Sequence, residues 1–209
     1  MPFPRFLYSA AALVLLAMLV CCQTTEPTVF IQSDMVSTAP TAVQLPFTIE
    51  RLAILYPEPS DRRLMNAYLR LEGGTFQLKE LRPTLKLVER FDLRRILDEQ
   101  RFQLNQGVSD DTAVHLGHLL GVDSVVLYRV EGPSARDRAL ASVMGELPPV
   151  VVVTKIIKVE DGEVVFLNAV IVPVKTAREE VFFSMDAPIQ TALDRGVTQT
   201  IADLRYAFR

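Results

Sequence analysis

The chain has 209 residues, of which 22 are basic and 25 acidic, so its net charge at pH 7 is −3. The two signs alternate along the sequence without a basic stripe, which argues against a protein that binds DNA or RNA. About half of the residues are apolar, and this is enough for one ordinary domain with a full hydrophobic core.

The first 21 residues have the composition of a bacterial signal peptide. Arg5 is the only charged side chain before an apolar run that is too short for the roughly 30 Å hydrocarbon core of a bilayer. The run ends in the sequence LVCC at 19–22, which resembles a lipobox with an unusual Cys21 at its small-residue position. We therefore expect removal of residues 1–21 and lipidation of Cys22. The alternatives are cleavage before Cys21, secretion without a lipid, and a cytosolic protein with an apolar start.

Lipidation of Cys22 predicts a membrane anchor, because each buried CH₂ group contributes about 0.8 kcal/mol and two or three acyl chains anchor stably. Gln23 follows, where the enterobacterial sorting rule places Asp in proteins of the inner membrane. We therefore expect a protein of the cell outer membrane that faces the periplasm. Cys21 and Cys22 are the only cysteines, so a lipidated Cys22 leaves no structural disulfide.

Residues 22–46 are predicted to form a flexible tether behind the lipidated cysteine. Their composition is rich in Thr, Ser, Pro and Gln, and it contains only two charged side chains, Glu26 and Asp34. Such a stretch buries too little apolar surface to offset the entropy lost on ordering. It reaches at most roughly 80 Å when fully extended. The folded domain is predicted to span 47–209.

The first half of this domain begins with a predicted strand at 47–56. A helix capped by Ser60 follows and is expected to stop at Gly73-Gly74. Residues 84–89 alternate in the manner of a strand. The predicted buried face of the helix consists of Leu64, Ala67, Tyr68 and Leu71.

Two further helices are predicted before the next strand. Residues 91–102 form a clear amphipathic pattern. Within it, a structural role is favoured for Glu99, as a partner of neighbouring backbone or of Arg90, and a solvated side chain is the alternative. Ser109 is expected to cap a helix that runs to about Leu120 and ends in a left-handed turn at Gly121. A strand over 123–130 comes next.

The second half is dominated by two apolar strands, 150–159 and 164–172, joined at Asp161-Gly162. That dipeptide is typical of a type I′ hairpin turn. A last helix is predicted over 189–206. Its inward residues are Leu193, Val197, Ile201 and Leu204. The order of elements predicts an α/β (α+β) class, with a mixed sheet flanked by helices.

Three segments in this order resemble the curli-secretion lipoprotein (CsgG-like) family. They are LVERFDLRRILDEQRFQLNQG from Leu87, AVHLGHLLGVDSVVLYRV from Ala113, and the Val-rich strand with its Asp-Gly-Glu-Val-Val hairpin. The resemblance covers roughly residues 50–172. It implies a periplasmic domain with an anticodon-binding-domain-like fold, which also serves lipoproteins that activate cell-wall synthases. Such a likeness does not fix a function.

This sequence departs from the channel members of that family at two places, 132–148 and 174–188. The channel there inserts membrane hairpins, whose strands need about 9–11 residues each. Both stretches of this chain are short and charged, so a relative without the hairpins is the better interpretation. A possible strand face in the first stretch keeps the channel open as an alternative. That face would consist of Ala135, Ala139, Ala141 and Val143.

Catalytic and metal-binding signals are weak. His115 and His118 are three residues apart on a predicted helix, and this spacing suits a metal ion to which Asp110 or Asp111 could add an oxygen. No third strong ligand is evident, so we expect no metal and no cofactor. No phosphate-binding glycine loop, nucleophile elbow or acid/base carboxylate pair occurs, so we expect no enzyme and no small-molecule substrate.

The resulting hypothesis is a non-enzymatic, lipid-anchored envelope protein that acts in assembly, in secretion or as a scaffold. Its expected partners are the membrane, other envelope proteins and copies of itself. Residues 136–138, Arg-Asp-Arg, are expected to form a solvated loop that could contact a partner. The alternatives are a subunit of an oligomeric curli-type export channel and an activator of a cell-wall synthase.

Overall fold

A computed structural model describes residues 36–37, 45, 49–59, 61–88, 109–144, 146–175 and 186–209. All of them lie in the second of two compact units, Asp34–Arg209, and the first unit is Met1–Ser33. The elements in chain order are β1 (Val36–Ser37), β2 (Arg51–Leu55), α1 (Arg62–Phe76), a 3-10 turn (Gln77–Glu80), β3 (Lys86–Val88), α2 (Asp110–Leu120), β4 (Ser124–Glu131), α3 (Ala135–Met144), β5 (Val150–Lys158), β6 (Val164–Val172) and α4 (Asp186–Ala207).

Six strands form one mixed sheet in the order β1-β6-β5-β4-β2-β3. β2 lies between β3 and β4 and runs parallel to both, whereas β4, β5, β6 and β1 pair in antiparallel fashion. The predicted strands at 84–89, 123–130, 150–159 and 164–172 each overlap an observed strand. The predicted α/β (α+β) class, a mixed sheet flanked by helices, is confirmed.

The two faces of the sheet carry different helices, because successive side chains of a strand point to opposite faces. α1 and α4 pack on one face and form the main core with inward residues such as Leu52, Val126 and Val152. α2 packs on the opposite face, over β2, β4 and the end of β5. Its core consists mainly of Ala53, Leu55, Ala113, Leu116, Val125 and Ile157.

Helix α1 differs from the sequence prediction at both ends. The predicted cap Ser60 lies outside the described residues, and Asp61 caps the helix by accepting the backbone N–H groups of Arg63 and Leu64. The helix also passes through Gly73-Gly74, where the sequence predicted its end. The reason is packing: a Cβ at Gly74 would lie 2.5 Å from Cδ1 of Ile201, so this glycine lets α1 approach α4 closely.

The predicted caps of helix α2, Ser109 and Gly121, are both present. The Ser109 hydroxyl accepts the Thr112 N–H at 3.2 Å. Gly121 has a φ of 61°, which lies in the left-handed region that a side chain disfavours. The N–H of Gly121 donates to the His118 carbonyl and the N–H of Val122 to the Gly117 carbonyl, as in a Schellman motif.

The β5–β6 hairpin is present, but its turn is not the predicted two-residue type I′. Lys158 N–H donates to the Glu163 carbonyl at 2.9 Å, so residues 159–162 form the loop. Gly162 has a φ of 72°. The Asp161 carboxylate accepts the Glu163 N–H at 3.0 Å. This hydrogen bond lowers the pKa of Asp161. It also holds the loop together from within, through a side chain bonded to the backbone two residues further on.

The stretch 132–148 contains the helix α3, where the sequence suggested a solvated loop or a strand. Ser134 and Asp137 form a reciprocal cap. The Asp137 carboxylate accepts the Ser134 N–H at 2.8 Å, and the Ser134 hydroxyl accepts the Asp137 N–H at 3.2 Å. The hydrogen bonds from Ser134 lower the pKa of Asp137. This pairing explains why a helix forms over 136–138.

Parts of the predicted tether, 22–46, contact the folded unit. Val36 and Ser37 pair with Ile171 and Val170 of β6. Leu45 is buried, and its N–H donates to the Ala207 carbonyl at 2.9 Å.

The signal segment 1–21, Cys22, the predicted helix 91–102 with Glu99, and most of 174–188 lie outside the described residues. Within the described ranges, no helix has both the length and the hydropathy needed to cross a bilayer.

Candidate functional site

A crevice of about 500 Å³ lies where β2 ends and β4 continues. β2 pairs with β4 only as far as Leu55, opposite Leu127, whereas β4 runs on to Glu131. The last part of β4 therefore has no β2 residue beside it. The lining of the crevice includes Pro57, Tyr68, Leu127, Arg129, Val153 and Lys155.

The order of the strands explains this opening. The chain passes from β2 through α1 to β3 on one side of β2, and it later enters β4 on the other side from α2. Because α1 and α2 pack on opposite faces, the carboxyl ends of β2 and β4 flank a gap. Open α/β sheets bind ligands at such switch points, so the crevice is the candidate functional site.

Tyr68 of α1 forms the inner wall of the crevice. Its hydroxyl accepts the backbone N–H of Val130 at 2.9 Å. Its ring stacks on Tyr56, with centroids 4.7 Å apart and planes inclined by 5°. The Tyr56 hydroxyl donates to Glu72 at 3.0 Å. Two aromatic rings and two hydrogen bonds thus fix this wall.

The rim of the crevice carries two ion pairs, each formed by one basic and one acidic side chain. Arg129 lies 2.6 Å from Glu131, and their side chains are 72% and 53% exposed. Lys155 donates to both carboxylate oxygens of Asp110 at 2.9 Å. The rim is therefore rich in polar atoms, and the formal charges of these four described side chains sum to zero.

An apolar surface continues from the crevice across the face of the sheet that bears α2. The register places Val153 opposite Ala169 and Val151 opposite Ile171, on the same face as Leu127. The exposed members are Val36 (56%), Leu167 (51%) and Ile171 (37%). We call this set, with Val151, Val153 and Ala169, the open sheet face. Contiguous exposed apolar surface typically marks a contact with another molecule.

The histidines considered as metal ligands lie on the surface of α2. His115 and His118 are both exposed on α2, and Asp110 is engaged by Lys155. The described part of the chain contains no group of three or more His, Cys, Asp or Glu side chains placed to hold a metal ion.

Asp123, the last residue of the LGHLLGVD segment, has a structural role. One of its carboxylate oxygens accepts the N–H groups of Glu50 and Arg51 at 2.9 and 2.8 Å. Val159 N–H donates to the Asp123 carbonyl at 2.9 Å. Asp123 thereby joins the start of β2 to β4 and β5.

Among the described residues, Tyr128 has a strongly shifted pKa, and its role is structural. Burial raises its pKa well above the usual range, so the phenol stays protonated at physiological pH. Its hydroxyl lies 2.6 Å from Thr75 Oγ1, which in turn donates to the Leu71 carbonyl. Through these hydrogen bonds the buried Tyr128 links α1 to the sheet.

No family profile and no curated protein matches the chain. Among solved structures, it is similar to PelC from Paraburkholderia phytofirmans in two crystal forms of a dodecamer. Both comparisons give 11% identity and a TM-score of 0.41, and both cover 82% of this chain. They cover 97% and 96% of the respective PelC chains. At this identity and TM-score the likeness leaves the function of this chain open.

Proposed function

We propose that this chain is a non-enzymatic lipoprotein of the bacterial cell envelope, which positions partner proteins as an assembly, secretion-accessory or scaffold factor. The observation that carries the proposal is the sequence LVCC at 19–22, directly after a short apolar run. Lipidation of Cys22 would hold the domain at a membrane surface. Gln23 favours the outer membrane, with the domain facing the periplasm.

The distance over which the anchor can act is limited by the pairing of β1. The chain between Cys22 and Val36 can extend at most about 50 Å. The domain would therefore meet partners close to the membrane that carries it. This reach favours an accessory factor at that membrane over an activator that has to span the periplasm.

Two features of the domain support a role through protein contacts. The open sheet face exposes Val36, Leu167 and Ile171, although burial of these side chains would be favourable by about 25 cal/mol per Å². The crevice beside this face offers a preformed recess. The resemblance to the CsgG-like family supports the same class of role, with the export channel as the alternative.

Fractionation of cells and native mass measurement test this proposal together. We expect the wild-type protein in the outer membrane fraction, and the Cys22→Ala variant in the soluble periplasmic fraction. In mild detergent we expect a monomer or a small oligomer. A discrete ring of eight or more subunits would favour the export channel. Recovery of both proteins from the cytosol would contradict the proposal.

A further inference from the structure

The crevice at the end of β2 has the charge distribution of a site for a neutral ligand. Among the described lining residues, each of the two rim ion pairs, Arg129–Glu131 and Lys155–Asp110, is neutral as a pair. A nucleic acid or a phosphate would meet carboxylates as well as cations, and a metal ion would meet Lys155 and Arg129. A ligand that carries its own paired donors and acceptors, without net charge, fits this rim best.

The floor of the crevice is apolar. Leu127 and Val153 are diagonal neighbours on adjacent strands, since Leu127 lies directly opposite Lys155. Pro57 lines the crevice just beyond the end of β2. The side chains of Leu127 and Val153 are half-buried and therefore leave part of their surface for a ligand. An apolar group over this floor would be flanked by the polar rim, which is the arrangement of many small binding sites.

A polypeptide segment combines these two requirements, because it alternates backbone donors and acceptors with side chains that can be apolar. We propose that the crevice binds a short segment of a partner protein, with one apolar side chain of that segment seated over Leu127 and Val153. The proposal rests on the proposed function, since it identifies where the partner is bound.

The open sheet face extends this site. Lys155 lies opposite Leu167, and Val153 lies opposite Ala169, so the crevice and the exposed part of β6 are neighbours. A segment anchored in the crevice would cover Leu167 as it continues across β6. The crevice supplies the specific anchor, and the face supplies additional buried area.

Selection from random dodecapeptides displayed on phage, against the full-length protein in mild detergent, tests this assignment. We expect enriched peptides that share an apolar residue and bind less tightly, by about tenfold or more, to the variant Val153→Lys. Arg129→Glu breaks the rim pair at a strongly exposed side chain and should also weaken binding. The control Leu69→Lys changes an exposed residue of α1 and should leave binding unchanged.

Three results would overturn the assignment. One is the absence of enriched peptides relative to an unrelated lipoprotein, and another is equal binding to wild type, Val153→Lys and Arg129→Glu. The third is a change in native mass caused by Val153→Lys, because it would make this surface a contact between copies of the chain. Melting temperatures check that each variant folds. If Val153→Lys does not fold, the comparison of wild type with Arg129→Glu provides the test. Peptide binding without lipidation of Cys22 would preserve the site while contradicting the proposed function.

Discussion

The hydroxyl of Tyr68 accepts the backbone N–H of Val130, at a point of β4 beyond the end of β2. These residues are 62 positions apart in sequence, and the Val130 N–H points to the side of β4 where β2 has already ended at Leu55. In a longer β2, a backbone carbonyl would accept this N–H. A tyrosine of α1 supplies the acceptor instead, so the crevice stays open without an unsatisfied backbone donor.

Substitution of Tyr68 by Phe should destabilise the domain by about 1–3 kcal/mol, because it leaves the buried N–H of Val130 without an acceptor. Chemical denaturation measures this change. Amide hydrogen exchange at Val130 should become faster at the same time. Tyr206→Phe is the matched control. Tyr206 is 54% exposed, so removal of its hydroxyl should change the free energy of unfolding little. Equal stability of both variants would contradict the structural role of Tyr68.

Arg82 is a buried cation that joins distant parts of the chain. It donates to the Phe208 carbonyl at 3.2 Å and to the Leu45 carbonyl at 2.8 Å. Arg82→Met keeps the apolar stem and removes both donors, and we expect a loss of roughly 1.5–3 kcal/mol in the free energy of unfolding. Arg129→Met, at an exposed ion pair, should cost less than about 1 kcal/mol. A similar loss for the two variants would count against this role.

Two glycines of the helices should respond in opposite directions to alanine. A Cβ at Gly117 would overlap Val159 and lie 3.0 Å from Cγ2 of Val125, so Gly117→Ala should cost about 1–3 kcal/mol through overpacking under α2. A Cβ at Gly73 would meet no atom within 4 Å. Gly73→Ala should therefore stabilise α1 by about 0.5–1 kcal/mol. Thermal unfolding of the pair provides the measurement.

The cap of α1 should make a contribution that depends on pH. Partial burial acts to raise the pKa of Asp61, but the N–H of Leu64 and the charge of Arg63 outweigh it and lower that pKa overall. The ionised form therefore stabilises the folded state above the unfolded pKa of about 3.9, and this contribution is lost as the pH falls through the lower folded value. Asp61→Ala should cost about 1 kcal/mol at pH 7.

Asp61→Asn separates the cap from the charge, since asparagine also caps helices well. The free energy of unfolding of the Asp61→Asn variant should be slightly lower than that of wild type at pH 7. This difference should vanish once Asp61 of the wild-type protein is protonated. Unfolding by denaturant from pH 7 down to a pH below the folded pKa of Asp61 measures this convergence. A difference that stays constant over that range would show that the charge of Asp61 does not contribute.

The sequence predicted the fold class, most strands and the caps of α2 because these depend on local patterns. Ser109 and Gly121 act within one or two turns of their own helix. The same local reasoning was wrong at Gly73-Gly74, because contact with Ile201 is a tertiary property. The helix α3 was missed although Ser134 and Asp137 have the spacing of a capping box, which was the signal that could have revealed it.

The crevice could not be read from the sequence in the same way. It depends on the placement of β2 between β3 and β4, and on the different lengths of β2 and β4. Tyr68 belongs to no motif, and Val153 is one of several similar valines in its strand. The two residues line one opening only because of the order of the strands in the sheet. Local periodicity therefore identified the strands but could not identify the gap between them.

Mass spectrometry of the mature N-terminus tests the central claim most directly. The claim predicts that the protein isolated from membranes begins at Cys22, with a diacylglyceryl group on the thiol and an acyl group on the new amino terminus. The Cys22→Ala variant should lack both modifications. A membrane-derived chain that begins at Met1 or Cys21, with an unmodified Cys22, would contradict a lipid-anchored envelope protein.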